Sequence, residues 1–386
     1  MKKALVIGGN SGVGLSIVIK LFKENYEKIY IIDKNEINFS ELNNEFVDLY
    51  KTKVSYYKFN LINSDYSIFD KITDIDTLVI TAGFGRVALF ENLEEKEIEN
   101  LVRVNLESVI KIIKKYYYLI NSEKDFYTSI MDSISGRIAS PLFSVYGSAK
   151  AGLKSFIENI NCELIAKNKK NRILEVSPGV INGTNFNGNG NYLNILSELS
   201  CKIYEKMINR EVVYIPKYEE VYKEIIEKNS KNPYIFGVES YNYKIDNNRL
   251  TTKPQLVVGY LSGTFDLFHI GHLKLLKRAK EECDYLIVGV HSSGLRKGKE
   301  TFIPLEERME IVGSIKYVDK VIVCPEEDSD AWDIFKYNKL FVGSDYKGTE
   351  RFNRYEKILN GKAEIIYFPY TKGTSSTQLR EKILNK

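Results

Sequence analysis

Short β-branched runs alternate with longer stretches of helical period through the first part of the chain. The runs fall at Ala4 to Ile7, Lys28 to Ile32, Lys53 to Phe59, Thr77 to Ile80 and Phe126 to Ser133. Apolar positions recurring about every 3.6 residues fill the intervals, so each run reads as a strand followed by a covering helix. That alternation predicts a doubly wound parallel sheet. A further strand, Arg172 to Ser177, ends at Pro178-Gly179. The Asn/Gly-rich stretch from Asn182 to Asn191 is too polar to pack and reads as a mobile loop. Helical period returns over 192–228 and is lost from Tyr241 to Pro254, where Asn, Thr, Lys and Pro collect. Strands then recur at Gln255 to Leu261, Tyr285 to Val290, Lys320 to Val323, Lys339 to Val342 and Ala363 to Phe368, which predicts a second, smaller α/β domain. The expected division is a domain over 1–240, a linker over 241–254 and a domain over 255–386.

Length and composition agree with two globular domains. At roughly 150 residues per domain, 386 residues make two. Hydrophobic residues at 44% and charged residues at 27% exclude a disordered or low-complexity chain. The formal net charge of +4 is spread along the sequence, which argues against nucleic acid or a membrane surface as partner and leaves small anionic substrates open. No apolar run approaches the ~18 residues of a membrane span. The opening Met-Lys-Lys-Ala-Leu-Val-Ile-Gly runs into a Gly-rich turn rather than a cleavable apolar region, so a cytoplasmic location is expected. Cys162, Cys201, Cys283 and Cys324 lie far apart with no Cys-x-x-Cys pair, so neither a zinc site nor a disulfide framework is expected.

The first domain carries two chemical signatures. Gly8-Gly9-Asn10-Ser11-Gly12-Val13-Gly14 follows the first strand and opens a helix, where glycines let a pyrophosphate approach backbone N–H groups at a positive helix end. Asp33, at the end of the second strand about 20 residues on, can accept hydrogen bonds from a ribose. It favours NAD(H); Lys34 beside it can attract the 2′-phosphate of NADP(H). Tyr146 and Lys150 lie four apart on one helical face, and Ser133 stands upstream. A phenol of ordinary pKa near 10 becomes useful near pH 7 only when a cation stabilises its phenolate, and Lys150 is placed to do that.

Together these residues resemble the short-chain dehydrogenase/reductase family over about 1–235. The resemblance implies that Tyr146 protonates a carbonyl oxygen as hydride arrives, that Ser133 holds the same oxygen, that Lys150 also binds the nicotinamide ribose and that Asn105 supports a proton relay. It further implies cofactor contacts at Gly8, Asn10, Ser11, Gly12, Gly14, Asp33, Asn60, Ala82, Gly83, Pro178 and Gly179. Two departures are mild: Ile7 stands where the family has Thr, and Ile80-Thr81-Ala82-Gly83 replaces Asn-Asn-Ala-Gly.

All three histidines, His269, His272 and His291, fall in the last third of the chain. Gly263-Thr264-Phe265-Asp266-Leu267-Phe268-His269-Ile270-Gly271-His272 leaves a strand and enters a helix, so two imidazoles three apart project beside helix-end N–H donors. Imidazoles there can stabilise charge as a nucleophile attacks an α-phosphate. A metal site is less favoured because no third ligand cluster accompanies them, and none is expected. The decapeptide resembles the cytidylyltransferase branch of the His-x-Gly-His nucleotidyltransferases, most closely those acting on glycerol 3-phosphate and phosphoethanolamine, over about 255–384. That resemblance implies a Rossmann-like fold and nucleotide contacts at Gly263, Thr264, Phe265, His269, His272, Lys297, Lys299, Arg308, Asp345, Thr374, Ser375, Ser376 and Thr377. CTP is the implied nucleotide and ATP the alternative, with Mg²⁺ carried mostly by the phosphates. Tyr370-Thr371 replaces the family's Arg-Thr, which puts the acceptor in doubt.

The combined expectation is a bifunctional enzyme that reduces a ketose phosphate, such as ribulose 5-phosphate or fructose 6-phosphate, and transfers CMP to the phosphate, giving a CDP-polyol for capsule or cell-wall polymers. Reduction first is the favoured order, and the alternative is a cytidylyltransferase with a catalytically idle N-terminal half. Both resemblances imply a homo-oligomer, a dimer or tetramer.

Overall fold

A computed structural model describes residues 2–63, 65–184, 186, 192–250, 257–293, 300–369, 378–380 and 383. It divides into two compact units, Met1–Lys253 and Pro254–Lys386. In the first unit seven strands form one parallel sheet: β1 (Lys3–Ile7), β2 (Lys28–Asp33), β3 (Val54–Lys58), β4 (Thr77–Ile80), β5 (Tyr127–Met131), β6 (Ile173–Val176) and β7 (Val213–Tyr214), in the order β3-β2-β1-β4-β5-β6-β7. The helices are α1 (Gly12–Lys23), α2 (Asn44–Lys53), α3 (Glu95–Val102), α4 (Ser108–Ile120), α5 (Ser144–Ala166), α6 (Leu193–Ile208), α7 (Lys223–Lys231) and α8 (Pro233–Asp246). The central strands are buried on both faces, as their continuous Val/Ile/Leu runs require. One core packs under α4 and α5 through Ile112, Leu153 and Ile157, and the other under α1 and α6 through Leu15, Leu21 and Ile203.

The strand order reverses between β1 and β4, which opens a crevice at the carboxyl ends of the strands where ligands bind in such sheets. The chain is tight there. A Cβ at Gly14 would stand 2.0 Å from the Gly8 carbonyl oxygen, and one at Gly8, whose φ is +83°, would stand 2.7 Å from the Ala82 nitrogen. Thr81 ties the two edges of the crevice together by donating its hydroxyl toward the Ile7 and Gly8 carbonyls at 3.0 and 3.1 Å. Thr81, just past the end of β4, thus closes onto the last residue of β1 and the first glycine of the turn.

The second unit is a five-stranded parallel sheet: β8 (Val258–Gly263), β9 (Tyr285–Val290), β10 (Lys320–Val323), β11 (Lys339–Gly343) and β12 (Glu364–Phe368), in the order β10-β9-β8-β11-β12. Its helices are α9 (Ile270–Glu281), α10 (Leu305–Gly313), α11 (Asp328–Phe335) and α12 (Glu350–Ile358). The topology again reverses beside the first strand of the unit, β8, and α9 starts at that point.

Two expectations differ from the structure. The stretch 192–228 is not one helical segment: α6 ends at Ile208, the edge strand β7 follows, and a π-turn over Tyr218–Tyr222 leads into α7. Residues Tyr241 to Asp246, assigned to the linker, are the second half of α8. That helix starts from Asn232, whose side chain accepts from Tyr234 N and Ile235 N at 3.1 and 3.0 Å, with Pro233 in the first turn. Its Tyr234, Ile235 and Val238 are exposed, so the apolar residues follow no buried face and give no helical period to read.

Replacing Thr81 with Val keeps the shape and removes the hydroxyl that bridges the crevice. A loss of about 1 kcal/mol in the urea unfolding of the first unit is expected.

Candidate functional site

At the crevice of the first unit, β1 delivers the Gly8–Gly14 turn and α1 begins directly behind it. The residues fit a dinucleotide: the backbone close approach at Gly8 and Gly14 leaves the concavity open where a Cβ would fill it, and α1 points its N-terminus at it. Asn10 is locked by Tyr50, whose hydroxyl donates to its side-chain oxygen at 2.8 Å. Asp33 accepts from Asn10 N and Asn35 N, both at 3.0 Å, and burial raises its carboxyl above the ordinary range. Asn60 follows β3, and its side chain accepts from Ile62 N at 3.1 Å.

Four expected side chains converge beyond β4 and β5. Tyr146 is the third residue of α5, is buried, and lies within side-chain reach of Ser133, which caps a short 3-10 turn after β5. The Lys150 ammonium stands 5.8 Å from the Tyr146 ring centroid and donates to the Met131 carbonyl at 2.8 Å. Asn105 sits in a π-turn over Arg103–Glu107 that interrupts α3 and α4 and swings its side chain inward. Its amide donates to the Phe84 and Leu101 carbonyls at 2.8 and 3.0 Å, and its buried Oδ1 has no hydrogen-bond partner among the described residues. A Cβ at Gly83 would stand 2.8 Å from that oxygen and 3.9 Å from the Lys150 ammonium. An acceptor oxygen and a cation thus face one small space, an arrangement suited to a relay water.

Burial holds the Tyr146 phenol protonated, which suits a proton donor. Burial also lowers Lys150, opposed by the Asp132 carboxylate. Asp132 was not singled out in the sequence, nor were its neighbours. It is buried one residue before Ser133 and accepts from the Ser177 hydroxyl at 3.3 Å. The same hydroxyl contacts Glu175 at 2.5 Å, and Arg137 forms an ion pair with Glu175. Burial first, and Glu175 next to it, raise Asp132, while Lys150 pulls it down. Only the tertiary fold joins these residues, because they come from β6, from the segment after β5 and from α5.

Gly179 follows Pro178 after β6, and a Cβ there would collide with the Tyr222 hydroxyl at 1.5 Å. Within the Asn/Gly-rich span, residues 185 and 187–191 lie outside the described residues. Phe186 is described, with its ring 5.7 Å from that of Tyr146.

In the second unit, the turn from Gly263 to His269 links β8 to α9. His269 caps α9: its Nδ1 accepts from Gly271 N at 3.0 Å, and burial lowers its pKa, so the ring is neutral near pH 7. The His269 and His272 rings stack with centroids 4.0 Å apart. Phe265 and Leu267 hold left-handed backbone, φ 52° and 49°, a strained pair for non-glycine residues. Asp266 pins this turn by accepting from Phe302 N, Ile303 N and the Arg380 guanidinium at 3.1, 3.0 and 2.8 Å.

Two residues expected at the nucleotide have other work. Phe265 is buried and packs its ring 5.3 Å from that of His272, so it is a wall behind the imidazole. Arg308, 1% exposed, donates to the carbonyls of Ile303, Thr264, His291 and Ser292 at 2.6 to 3.1 Å. Its guanidinium knits the turn, the end of β9 and the start of α10 together instead of facing a phosphate. Asp345 is exposed in a 3-10 turn after β11. Lys297, Lys299, Thr374, Ser375, Ser376 and Thr377, with Tyr370 and Thr371, lie outside the described residues. No group of three metal-ligating side chains occurs among the described residues, and no described helix is long and apolar enough to cross a membrane.

Comparison with known proteins gives a separate match for each unit. The family profile described as short chain dehydrogenase matches residues 2–192, and that described as Cytidylyltransferase-like matches residues 260–382. Glycerol-3-phosphate cytidylyltransferase from Bacillus subtilis (strain 168) is 39% identical over 125 residues, 31% of this chain and 92% of that protein. FAD synthase from Pyrococcus horikoshii is 38% identical over 124 residues, 31% of this chain and 82% of that protein. A short-chain dehydrogenase from Sphingobium yanoikuyae, solved in complex with NADPH, superposes with a TM-score of 0.50 at 16% identity, covering 61% of this chain and 95% of that one, a likeness of fold.

The Asp132 carboxyl gives a pH prediction. Its folded pKa lies above the unfolded one, so the folded chain binds this proton more tightly. The stability that results is fully present below pH ~4 and is lost as pH rises through the folded value. Asp132→Asn removes that dependence: urea midpoints compared at acid and neutral pH flatten for the first unit, by at least the ~1.4 kcal/mol of one pKa unit. An undiminished slope in the variant assigns the titration elsewhere.

Proposed function

This chain belongs to the short-chain dehydrogenases in its first unit and to the cytidylyltransferase family in its second, and from that premise we propose that it makes a CDP-polyol from a ketose phosphate. The observation that supports the reading is that one chain holds two sets of candidate reacting groups: Ser133, Tyr146, Lys150 and Asn105 in the first unit, and the stacked His269 and His272 at the start of α9 in the second.

In the reductase, bound NAD(P)H supplies the hydride. Ser133 orients the substrate carbonyl by donating to its oxygen. Tyr146 then gives its hydroxyl proton to that oxygen as negative charge develops there. Lys150 stabilises the phenolate left behind, and the proton is replaced through the space between Lys150 and the Asn105 Oδ1. In the second unit an acceptor phosphate oxygen attacks the α-phosphorus of CTP, a P–O bond forms, and the bond to pyrophosphate breaks. His269 and His272, aided by the N–H groups that open α9, stabilise the charge gathering on the α-phosphate oxygens. Mg²⁺ travels with the triphosphate and screens its charge. The polyol product fits a role in capsule or cell-wall polymer synthesis, and the chemistry fits a cytoplasmic enzyme.

A second reading has one specific support: the similarity to FAD synthase keeps ATP open as the nucleotide for the second unit. The test is to supply CTP or ATP with Mg²⁺, NADH plus NADPH and a panel of ketose phosphates, and to identify products by mass. A CDP-linked polyol two mass units above the CDP-ketose supports the first reading, and AMP transfer supports the second. Tyr146→Phe should lower ketose-phosphate-dependent NAD(P)H oxidation at least ~100-fold and leave pyrophosphate release intact. His272→Ala should do the converse, lowering pyrophosphate release at least ~100-fold. Equal oxidation rates in Tyr146→Phe and the unmutated enzyme would remove Tyr146 from its role.

A further inference from the structure

Beyond the four reacting groups, one more half-buried cation of the first unit packs against an aromatic neighbour of Tyr146. Lys244 lies in the last turn of α8, half-buried. Its ammonium donates to the Pro141 carbonyl at 2.7 Å and stands 5.4 Å from the centroid of the Phe143 ring. Phe143 is in turn 5.3 Å from the Tyr146 ring, centroid to centroid. A Cβ at Gly85 would crowd Phe186, Phe143 and a ring carbon of Tyr146 together, at 2.9, 3.2 and 3.2 Å, so the three rings converge on Gly85. Lys244 packs on the outer member of that ring cluster, Phe143.

The charge on Lys244 has no match nearby. Two lysines of the preceding helix are paired, Lys223 with Glu219 at 3.0 Å and Lys228 with Glu224 at 2.9 Å, and both of those pairs are more exposed than Lys244. Lys244 has no ion pair among the described residues, and its one hydrogen bond there goes to a neutral carbonyl. An ammonium has three donors, so two are left for another acceptor. Burial without a counter-charge pushes Lys244 down to about 8, the mark of a cation that an incoming anion would stabilise. A purely structural strut for the 139–141 loop would not need a charged head at the edge of an aromatic cluster.

We propose that Lys244 binds the phosphoryl oxygens of the carbonyl substrate, so that the reductase selects a ketose carrying a phosphate ester remote from its carbonyl. The inference rests on the reductase reading of the first unit. The shared chemistry is a phosphoryl oxyanion, whether in a ketose phosphate or in its CDP ester. The aromatic walls of Phe143 and Phe186 take the carbon chain, Tyr146 and Ser133 take the carbonyl, and Lys244 takes the anionic end. The positive charge also acts before contact, by drawing anionic substrates toward the cleft.

The test uses the full chain and NAD(P)H oxidation with three substrates: a ketose phosphate, its CDP ester and the same ketose without phosphate. The readout is the ratio of kcat/KM for each phosphorylated substrate to that for the free ketose. Lys244→Gln keeps a donor for the Pro141 carbonyl and loses the charge, and the ratio should fall by about tenfold or more. Lys244→Arg should restore most of it. The substrate whose ratio falls further is the one that Lys244 reads. The kcat/KM for the free ketose in the same preparations reports a folded first unit. A ratio within about twofold of the unmutated enzyme in Lys244→Gln overturns this inference alone. No oxidation of any ketose phosphate or CDP ester by the unmutated enzyme overturns the reductase reading, and this inference with it.

Discussion

The buried ammonium of Lys150 is the constraint around which the first unit is arranged. A desolvated cation is tolerated only where fixed dipoles and charges surround it. Here the Met131 carbonyl accepts from it at 2.8 Å, Asp132 faces it, and the Tyr146 ring lies against it. Each of those partners comes from the carboxyl end of β5 or from α5, so strand and helix must meet at one register. The same register brings the Tyr146 hydroxyl within reach of Ser133. Catalytic geometry and burial of the charge are therefore one packing problem with one solution.

Asp132 and Glu175 extend that problem outward. Two buried carboxyls share the Ser177 hydroxyl, and Arg137 compensates the outer one. From Arg137 to Lys150 the order is cation, two neighbouring carboxyls, cation, so each carboxyl has a cation on its outer side while the two carboxyls oppose one another. Such a network determines how much of the Lys150 charge the phenol feels. In the second unit a strained turn plays the corresponding part. Left-handed backbone at Phe265 and Leu267 is held by Asp266 and Arg308, and those contacts aim His269 and His272 along α9. Arg308 is a long way in sequence from the histidines, yet its four carbonyl contacts give the turn its shape.

On the proposed function, fusing the two units makes chemical sense because they would act on different parts of one ketose phosphate, the carbonyl and the phosphate. A shared substrate would couple their specificities. On the inference drawn for Lys244, that coupling would be visible in the reductase, since a cation packed on Phe143 would discriminate by the group that the other unit modifies.

Much of this was legible in the residues alone. Strand and helix order follows from β-branched runs alternating with helical period, because a strand buried on both faces and an amphipathic helix leave different patterns. Gly8, Gly14, Tyr146, Lys150, His269 and His272 were legible because their chemistry depends on local spacing along one turn or one helix face. The structure alone revealed α8 past Tyr241, whose apolar residues lie on no single buried face. It alone placed Arg308 and Phe265 inside the second unit, and it alone brought Asp132, Glu175 and Arg137 together behind Lys150 and set Lys244 against Phe143. The physical reason is common to all of these: contacts between residues distant in the chain depend on how elements pack, and periodicity records which face is buried but not what that face meets.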